Sequence, residues 1–334
     1  MSETLSTMRP AIAVTDGKAR AGKRLSVLAA IGLAAVLPLF ANEYWQFVAN
    51  MALVYCLVTL GFNIVLGYLG QLAFANVAFF GIGAYATAIV MNAGLPFLIA
   101  LPVGAAASGV AGLLVGLPAL RIKGYQLAII TLAAGELLRW TYIHGGDITQ
   151  GSSGLPVPLP TVFGIALDSE IATFWTFLAI TVLCLWMTRN LLRSSIGRAL
   201  IAVRNNELAG LALGMHTAGF KVLAFAWSGV LVGVAGGMYA CLLGRVTPES
   251  FGLTQLLVHF SMVMVGGLGS FVGSIVGALL LTAVPEVLRN FPGLEEIVFS
   301  VLLMLVLRFA PQGVGGALAS RFGALRDSFY GGKR

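Results

Sequence analysis

Few side chains in this sequence could do chemistry in apolar surroundings, and they follow a pattern. Glu136 and Arg139 lie three residues apart in one apolar run, and Glu286 and Arg289 repeat that spacing in another. On a helix, opposite charges at i and i+3 share one face and can neutralise each other. Such a pair serves as a structural ion pair near an interface or as a contact for a zwitterionic solute. His259 stands alone in a short apolar segment, and Gln71, Asn76 and Thr131 are polar groups in similar settings. Each fits either hydrogen-bonded packing or a place beside a solute. An ionisable group in hydrocarbon costs about 2.5–3.5 kcal/mol at a helix centre, so its presence asks for a reason. Gln71, Asn76, Thr131, Glu136 and His259 are therefore the candidate translocation path.

Other chemistries lack their residues. No stretch reads G-x-x-x-x-G-K-[ST]; Gly22-Lys23-Arg24 and Gly332-Lys333 have neither the spacing nor a following helix. Any ATP involved is bound by another polypeptide. His144, His216 and His259 have no metal-site spacing, and no nucleophile elbow or catalytic dyad is present. Cys56, Cys184 and Cys241 fall inside apolar segments and read as buried small hydrophobes, not disulfides or ligands. The expectation is a non-enzymatic chain with no catalytic residue, no metal and no cofactor of its own.

The elements that must carry these residues are membrane helices. The 334 residues are 58% hydrophobic and 10% charged, with mean hydropathy +0.94. Soluble domains carry about a quarter charged residues, so this chain could not cover a water-facing surface. Its 42 glycines suit close approach of membrane helices. The net charge of +7 does not point to nucleic acid, because the basic residues lie between apolar runs, where they orient the chain in lipid.

Residues 1–24 form a polar basic tail, and Leu25–Ala41 is an uncharged run with no small-x-small cleavage site after it, hence an uncleaved first helix. Further spans are expected at about 45–66, 71–92, 96–118, 124–143, 171–188, 221–243, 254–265, 271–288 and 294–309. With the N-terminus inside, alternation puts 17 of the 20 basic residues inside and leaves Arg139, Arg245 and Arg289 outside. Adding or removing one span would destroy that sorting. The fold class is thus an all-α polytopic integral membrane protein of about ten transmembrane or half-membrane helices. A transmembrane domain at 25–309 carries an outer loop at 144–170 and an inner loop at 189–220, with a C-terminal tail at 310–334 inside. Gly67-Tyr-Leu-Gly-Gln71 and Gly266-Gly-Leu-Gly-Ser270 interrupt apolar runs near the inner face. Irregular backbone at that depth is tolerated only when buried in protein or lining a wet cavity. The run before the second break would rise only about 18 Å, which suggests a half-helix, a tilted helix or a re-entrant segment.

The inner loop holds clustered arginines (Arg189, Arg193, Arg198, Arg204). Ile196, Leu200 and Val203 recur at helical spacing, and Glu207 breaks the stripe before Leu208 and Leu211 resume it. Two short helices with a bend are expected, either lying on the inner leaflet or offering a partner a surface to push against.

Several stretches in one order carry a family resemblance: GQLAFANVAFFGIGAYATAIV (70–90), RIKGYQLAIITLAAGELLRW (121–140), QGSSGLPVP (150–158), SSIGRALIAVRNNELAGLALGM (194–215) and VGGLGSFVGSIVGALLLTAVPEVL (265–288). Over about 45–315 the chain resembles the branched-chain amino acid ABC transporter permeases of the LivM type. The resemblance implies a homologous LivH-type permease, two cytoplasmic ATPase subunits, a periplasmic solute-binding protein and a bacterial inner membrane. It also implies an ATPase-coupling loop on Arg198, Arg204, Glu207, Ala209, Gly210 and Gly214. There the E-A-A-x-x-x-G pattern is imperfect: Leu208 takes the glutamate place, with Glu207 one residue early. The function implied is import of branched-chain amino acids by alternating access. Urea, short amides or another amino acid are the alternatives within the family. A stand-alone secondary transporter or channel is the rival outside it.

Overall fold

The computed structural model describes residues 42–122, 124–162, 165–166 and 169–288, with isolated positions at 304, 308 and 313. The basic tail, the first expected span and Arg289 lie outside the described residues, as do the last expected span and the C-terminal tail apart from those isolated positions.

All eight spans expected within that range are helices. They are α1 (Glu43–Asn63), continued by a π-helical turn Ile64–Tyr68; α2 (Asn76–Asn92); α3 (Phe97–Gly116); and α4 (Tyr125–His144). After the outer loop come α5 (Glu170–Arg193), α8 (Thr217–Leu243), α9 (Leu253–Gly266) and α10 (Phe271–Leu288), with α6 (Ser195–Asn205) and α7 (Glu207–Ala212) forming the inner elbow. Four helical stretches, Glu43–Tyr68, Phe97–Leu120, Glu170–Arg193 and Thr217–Leu243, are long and apolar enough to cross a membrane alone. Strand content among the described residues is two short ladders. β1 (Leu155–Pro156) pairs antiparallel with β4 (Arg245–Val246), and β2 (Thr161–Val162) with β3 (Ile165–Ala166).

One boundary differs from expectation. The span drawn from 71 begins as helix only at Asn76, and residues 69–75 run as irregular backbone in which Leu69, Ala73 and Ala75 are buried and Leu72 is exposed. Hydropathy sees the apolar residues of that segment but not their backbone conformation. The fourteen residues of α9 rise about 21 Å, short of a full hydrocarbon core of about 30 Å.

Helix ends follow local chemistry. Ser169 caps α5 by accepting from Ala172 N, and Ser194 caps α6 by accepting from Ile196 N. α8 ends at Gly244, whose φ of +67° is a left-handed conformation that glycine adopts without strain. The core is α2, α3 and α8 in close register. A Cβ on Gly83 would strike the backbone of Gly233, and one on Gly229 the backbone of Ser108. That proximity maximises van der Waals packing where lipid tails are as apolar as the helices. Ser228 donates to Gly61 O at 2.7 Å, and Ser108 to Phe79 O at 2.7 Å, bonding helix to helix.

Segments sorted to one side by charge meet on that side. Asn50, near the start of α1, donates to Glu170 at the start of α5, both outer by the charge sorting. Leu114, Leu183 and Trp186 project outward, as side chains facing acyl chains should.

Cysteines placed at Ser152 and Leu213, both exposed, test this topology. An impermeant maleimide applied to intact cells should label the Ser152→Cys chain, and Leu213→Cys only after permeabilisation. The opposite pattern would invert the molecule.

Candidate functional site

The elbow is fastened to the membrane helices by three charged side chains. In α6, Leu200 and Val203 are buried against the body of the protein. Arg198 reaches back to donate to Arg193 O at 3.2 Å, one of the carbonyls left open at the end of α5. Arg204 donates to Gly67 O at 2.5 Å, across 137 positions of sequence. Gly67 sits in the π turn, where Leu69 N donates to Ile64 O and Gln71 N to Val65 O. In an α-helix the N–H at 71 would serve Gly67 O; here it is used elsewhere. The guanidinium takes its place, and a cation is favoured there because the C-terminal end of a helix is partially negative.

Next to that contact lies Asn63, fully buried. Its Oδ1 accepts from Gly269 N at 2.8 Å, while Nδ2 faces Ser274 Oγ at 2.7 Å, Ser270 O at 3.1 Å and Gly267 O at 3.3 Å. One amide thus holds the whole turn between α9 and α10. That turn needs glycine, with φ of +109° at Gly267 and +74° at Gly269. A Cβ on Gly67 would collide with Asn63 Oδ1 and Gly269 N, and one on Gly269 would approach Arg204 Nη1 at 2.9 Å. The two glycine breaks are therefore in contact, with Arg204 over both.

The third fastening is Glu207 Oε1 with Lys221 Nζ at 2.5 Å. Lys221 is 1% exposed near the base of α8, and a cation so buried needs a paired carboxylate. Asn206 caps α7 by accepting from Ala209 N at 3.0 Å. Of the remaining residues expected in a coupling loop, Ala209 is exposed, Gly210 is buried close to Met215 and Thr217, and Gly214 turns the chain at φ +77°. Leu208, Leu211 and Leu213 are 76%, 52% and 82% exposed, an apolar knob unlike the charged elbow around it.

Inside the bundle, the structure joins some of the candidate path and separates the rest. Asn76 Nδ2 lies 3.1 Å from His259 Nδ1, and His259 Nε2 lies 3.0 Å from Gln255 Nε2, which also reaches Tyr55 OH at 3.1 Å. A neutral imidazole donates at one nitrogen and accepts at the other, so one of these two amides presents its oxygen to the ring. Thr131 accepts from Phe74 N at 2.8 Å and donates to Leu127 O, pinning the irregular 69–75 segment to α4. Gln71 sits on that segment, its Oε1 buried without a hydrogen-bond partner among the described residues. Glu136 pairs with Arg139 at 3.0 Å, as the spacing predicts, but half-exposed and apart from the histidine network. The cavity beside Asn76, lined also by Phe62, Ala73 and Phe225, holds about 10 Å³. That is about room for one water at most.

At the outer end, Arg245 donates to Ser153 O at 2.8 Å, and the β1–β4 ladder holds the 150–156 loop against the bundle. Ile143, His144, Asp147, Gln150 and Ser153 border an open depression of about 670 Å³ there.

The chain matches the family model "Branched-chain amino acid transport system / permease component" over residues 44–310. The chain belongs to this family. The permease is 32% identical to the high-affinity branched-chain amino acid transport system permease protein LivM of Salmonella typhimurium strain LT2, over 87% of its own length and 75% of that protein's. To the same-named protein of Escherichia coli strain K12 it is 31% identical with the same coverage. It is 25% identical to the autoinducer 2 import system permease protein LsrC of Escherichia coli strain K12 / DH10B, over 86% of each chain. No solved structure matches the permease.

Sequence reasoning passed over Asn63, Gln255, Tyr55 and Lys221. The one available signal for Asn63 was an amide in an apolar run four residues before Gly67. Asn63→Leu would strand Gly269 N–H, at about 1–3 kcal/mol for a buried group, and would take one donor from Gly267 O and Ser270 O, which keep those of Ser270 N and Ser274 N. The detergent-solubilised variant should unfold at a clearly lower temperature than the parent, and Asn63→Gln should not restore the difference fully. An unchanged midpoint would mean the turn does not depend on this amide.

Proposed function

We propose that the permease is the membrane subunit of an ATP-driven importer for branched-chain amino acids in a bacterial inner membrane. It pairs with a homologous LivH-type permease, is driven from inside by two separate ATPase subunits, and receives solute outside from a periplasmic binding protein. The observation that carries this reading is the elbow. It presents Leu208, Leu211 and Leu213 to the inner side, and Arg204 and Glu207 tie its other face to the bases of α1 and α8. A push on the knob is thereby delivered to helices that cross the membrane.

Two further features support a second permease. The cavity of about 10 Å³ beside Asn76 is far too small for an amino acid, which favours a solute path between chains over one through that point. The Glu136–Arg139 pair is half-exposed on α4, whose Ile129 and Leu137 are also exposed, and a polar pair in hydrocarbon is best covered by protein. ATP supplies the differential binding that alternating access needs, by favouring one arrangement of the ATPase pair. Similarity to LsrC favours a second reading, in which the family's architecture carries a different small polar solute. The higher identity to LivM puts branched-chain amino acids first.

Reconstituted with its companions, the permease should take up labelled leucine only when ATP is present. Leucine flux through the purified chain alone, without ATP, would overturn the reading. Leu208→Asp with Leu211→Asp should reduce co-purification of the ATPases at least tenfold while the permease still inserts; undiminished co-purification would remove the knob from the interface.

A further inference from the structure

Resting on the importer reading, we infer that Arg204 is a C-terminal cap supplied in trans. It holds the π turn at the base of α1 closed while the elbow is at rest, and the ATP-driven movement of the elbow withdraws it. Arg204 is thus a positioning residue for transport, acting through Gly67 and Asn63.

Gly67 O lacks the N–H of Gln71, which is spent on Val65 O, and its hydrogen bond comes from the elbow. A helix end buried without a partner is strongly disfavoured, so the position of α6 and the closure of the π turn are one equilibrium. The same turn abuts the second break. Gly67 packs on Gly269 N, and that N–H is held by Asn63 from the last turn of α1. Withdrawing the guanidinium therefore loosens both breaks together, at the inner ends of α1, α9 and α10. The elbow keeps a separate hold on α8 through Glu207 and Lys221, so it can tilt about that pair without detaching. The Asn205–Asn206 bend between α6 and α7 sits between the two fastenings. π turns are uncommon, and short ones inside helices are frequent at functional sites.

The wild-type complex, reconstituted with its ATPase subunits, supplies the test by amide hydrogen exchange. Trapping the ATPases with ATP and vanadate should speed exchange at Leu69 to Gln71 by at least about tenfold relative to the nucleotide-free complex, the size expected for losing one charge-assisted hydrogen bond. Arg204→Gln should show the fast exchange without nucleotide, and its leucine uptake per ATP hydrolysed should fall at least about fivefold. Arg204→Lys, which keeps the charge and one donor, should lie between. Unchanged exchange at 69–71 in a complex that still imports leucine on ATP would overturn the cap and leave the importer reading standing. Equal losses of uptake and hydrolysis in Arg204→Gln would also overturn it, because they indicate an ordinary docking role. A wild-type complex with no ATP-driven uptake would instead remove the importer reading, and the cap with it. If Arg204→Gln does not assemble, the wild-type exchange measurement decides alone.

Discussion

Every backbone carbonyl and N–H buried in this molecule must find a partner inside the protein, because the surrounding hydrocarbon offers none. Regular helices meet that constraint automatically, and beside the elbow the chain leaves helix at 69–75 and 267–270. At both, side chains take over from the ladder. Thr131 serves Phe74 N, Asn63 serves the 267–270 turn, and Arg204 serves Gly67 O. The breaks are possible because these particular groups stand where the backbone bonds are missing.

The glycines follow from the same constraint. Gly267 and Gly269 allow the tight reversal between α9 and α10, and the bare Gly67 lets the two breaks touch. Elsewhere Gly83 and Gly233 bring α2 and α8 to backbone contact, making a tightly packed unit. The contrast has a mechanical meaning. Helices α2, α3 and α8 meet along packed glycine faces, and α9 and α10 do so at Gly266 and Gly273, whereas the two breaks are joined to each other and to the elbow by hydrogen bonds, which a small displacement can make or break.

Local patterns were readable from the sequence, and distant pairings were not. Hydropathy and charge sorting located α1 to α5 and α8 to α10 because apolar length and arginine placement are properties of adjacent residues. Glu136 and Arg139 pair as their i, i+3 spacing implies. The bend at Glu207 was visible as a break in an apolar stripe, and the helices on each side of it are separate. Asn63 looked like an isolated amide because its partners lie more than 200 residues away. The burial of Lys221 left no local sign because it depends on Glu207 reaching it from another helix. Arg204 was marked as a coupling-loop residue, but no spacing could reveal that its side chain turns toward α1. The start of α2 was misplaced because Gly70–Ala75 has the residue types of a membrane helix without its backbone.

The central claim is that the elbow and the paired breaks move relative to each other when nucleotide binds beneath them. Spin labels at positions 213 and 268, both exposed, would report this separation by pulsed dipolar spectroscopy in the reconstituted complex. The account predicts one distance without nucleotide and a second, distinct distance in the vanadate-trapped state. A single distance common to both states, in a complex that still imports leucine, would contradict it.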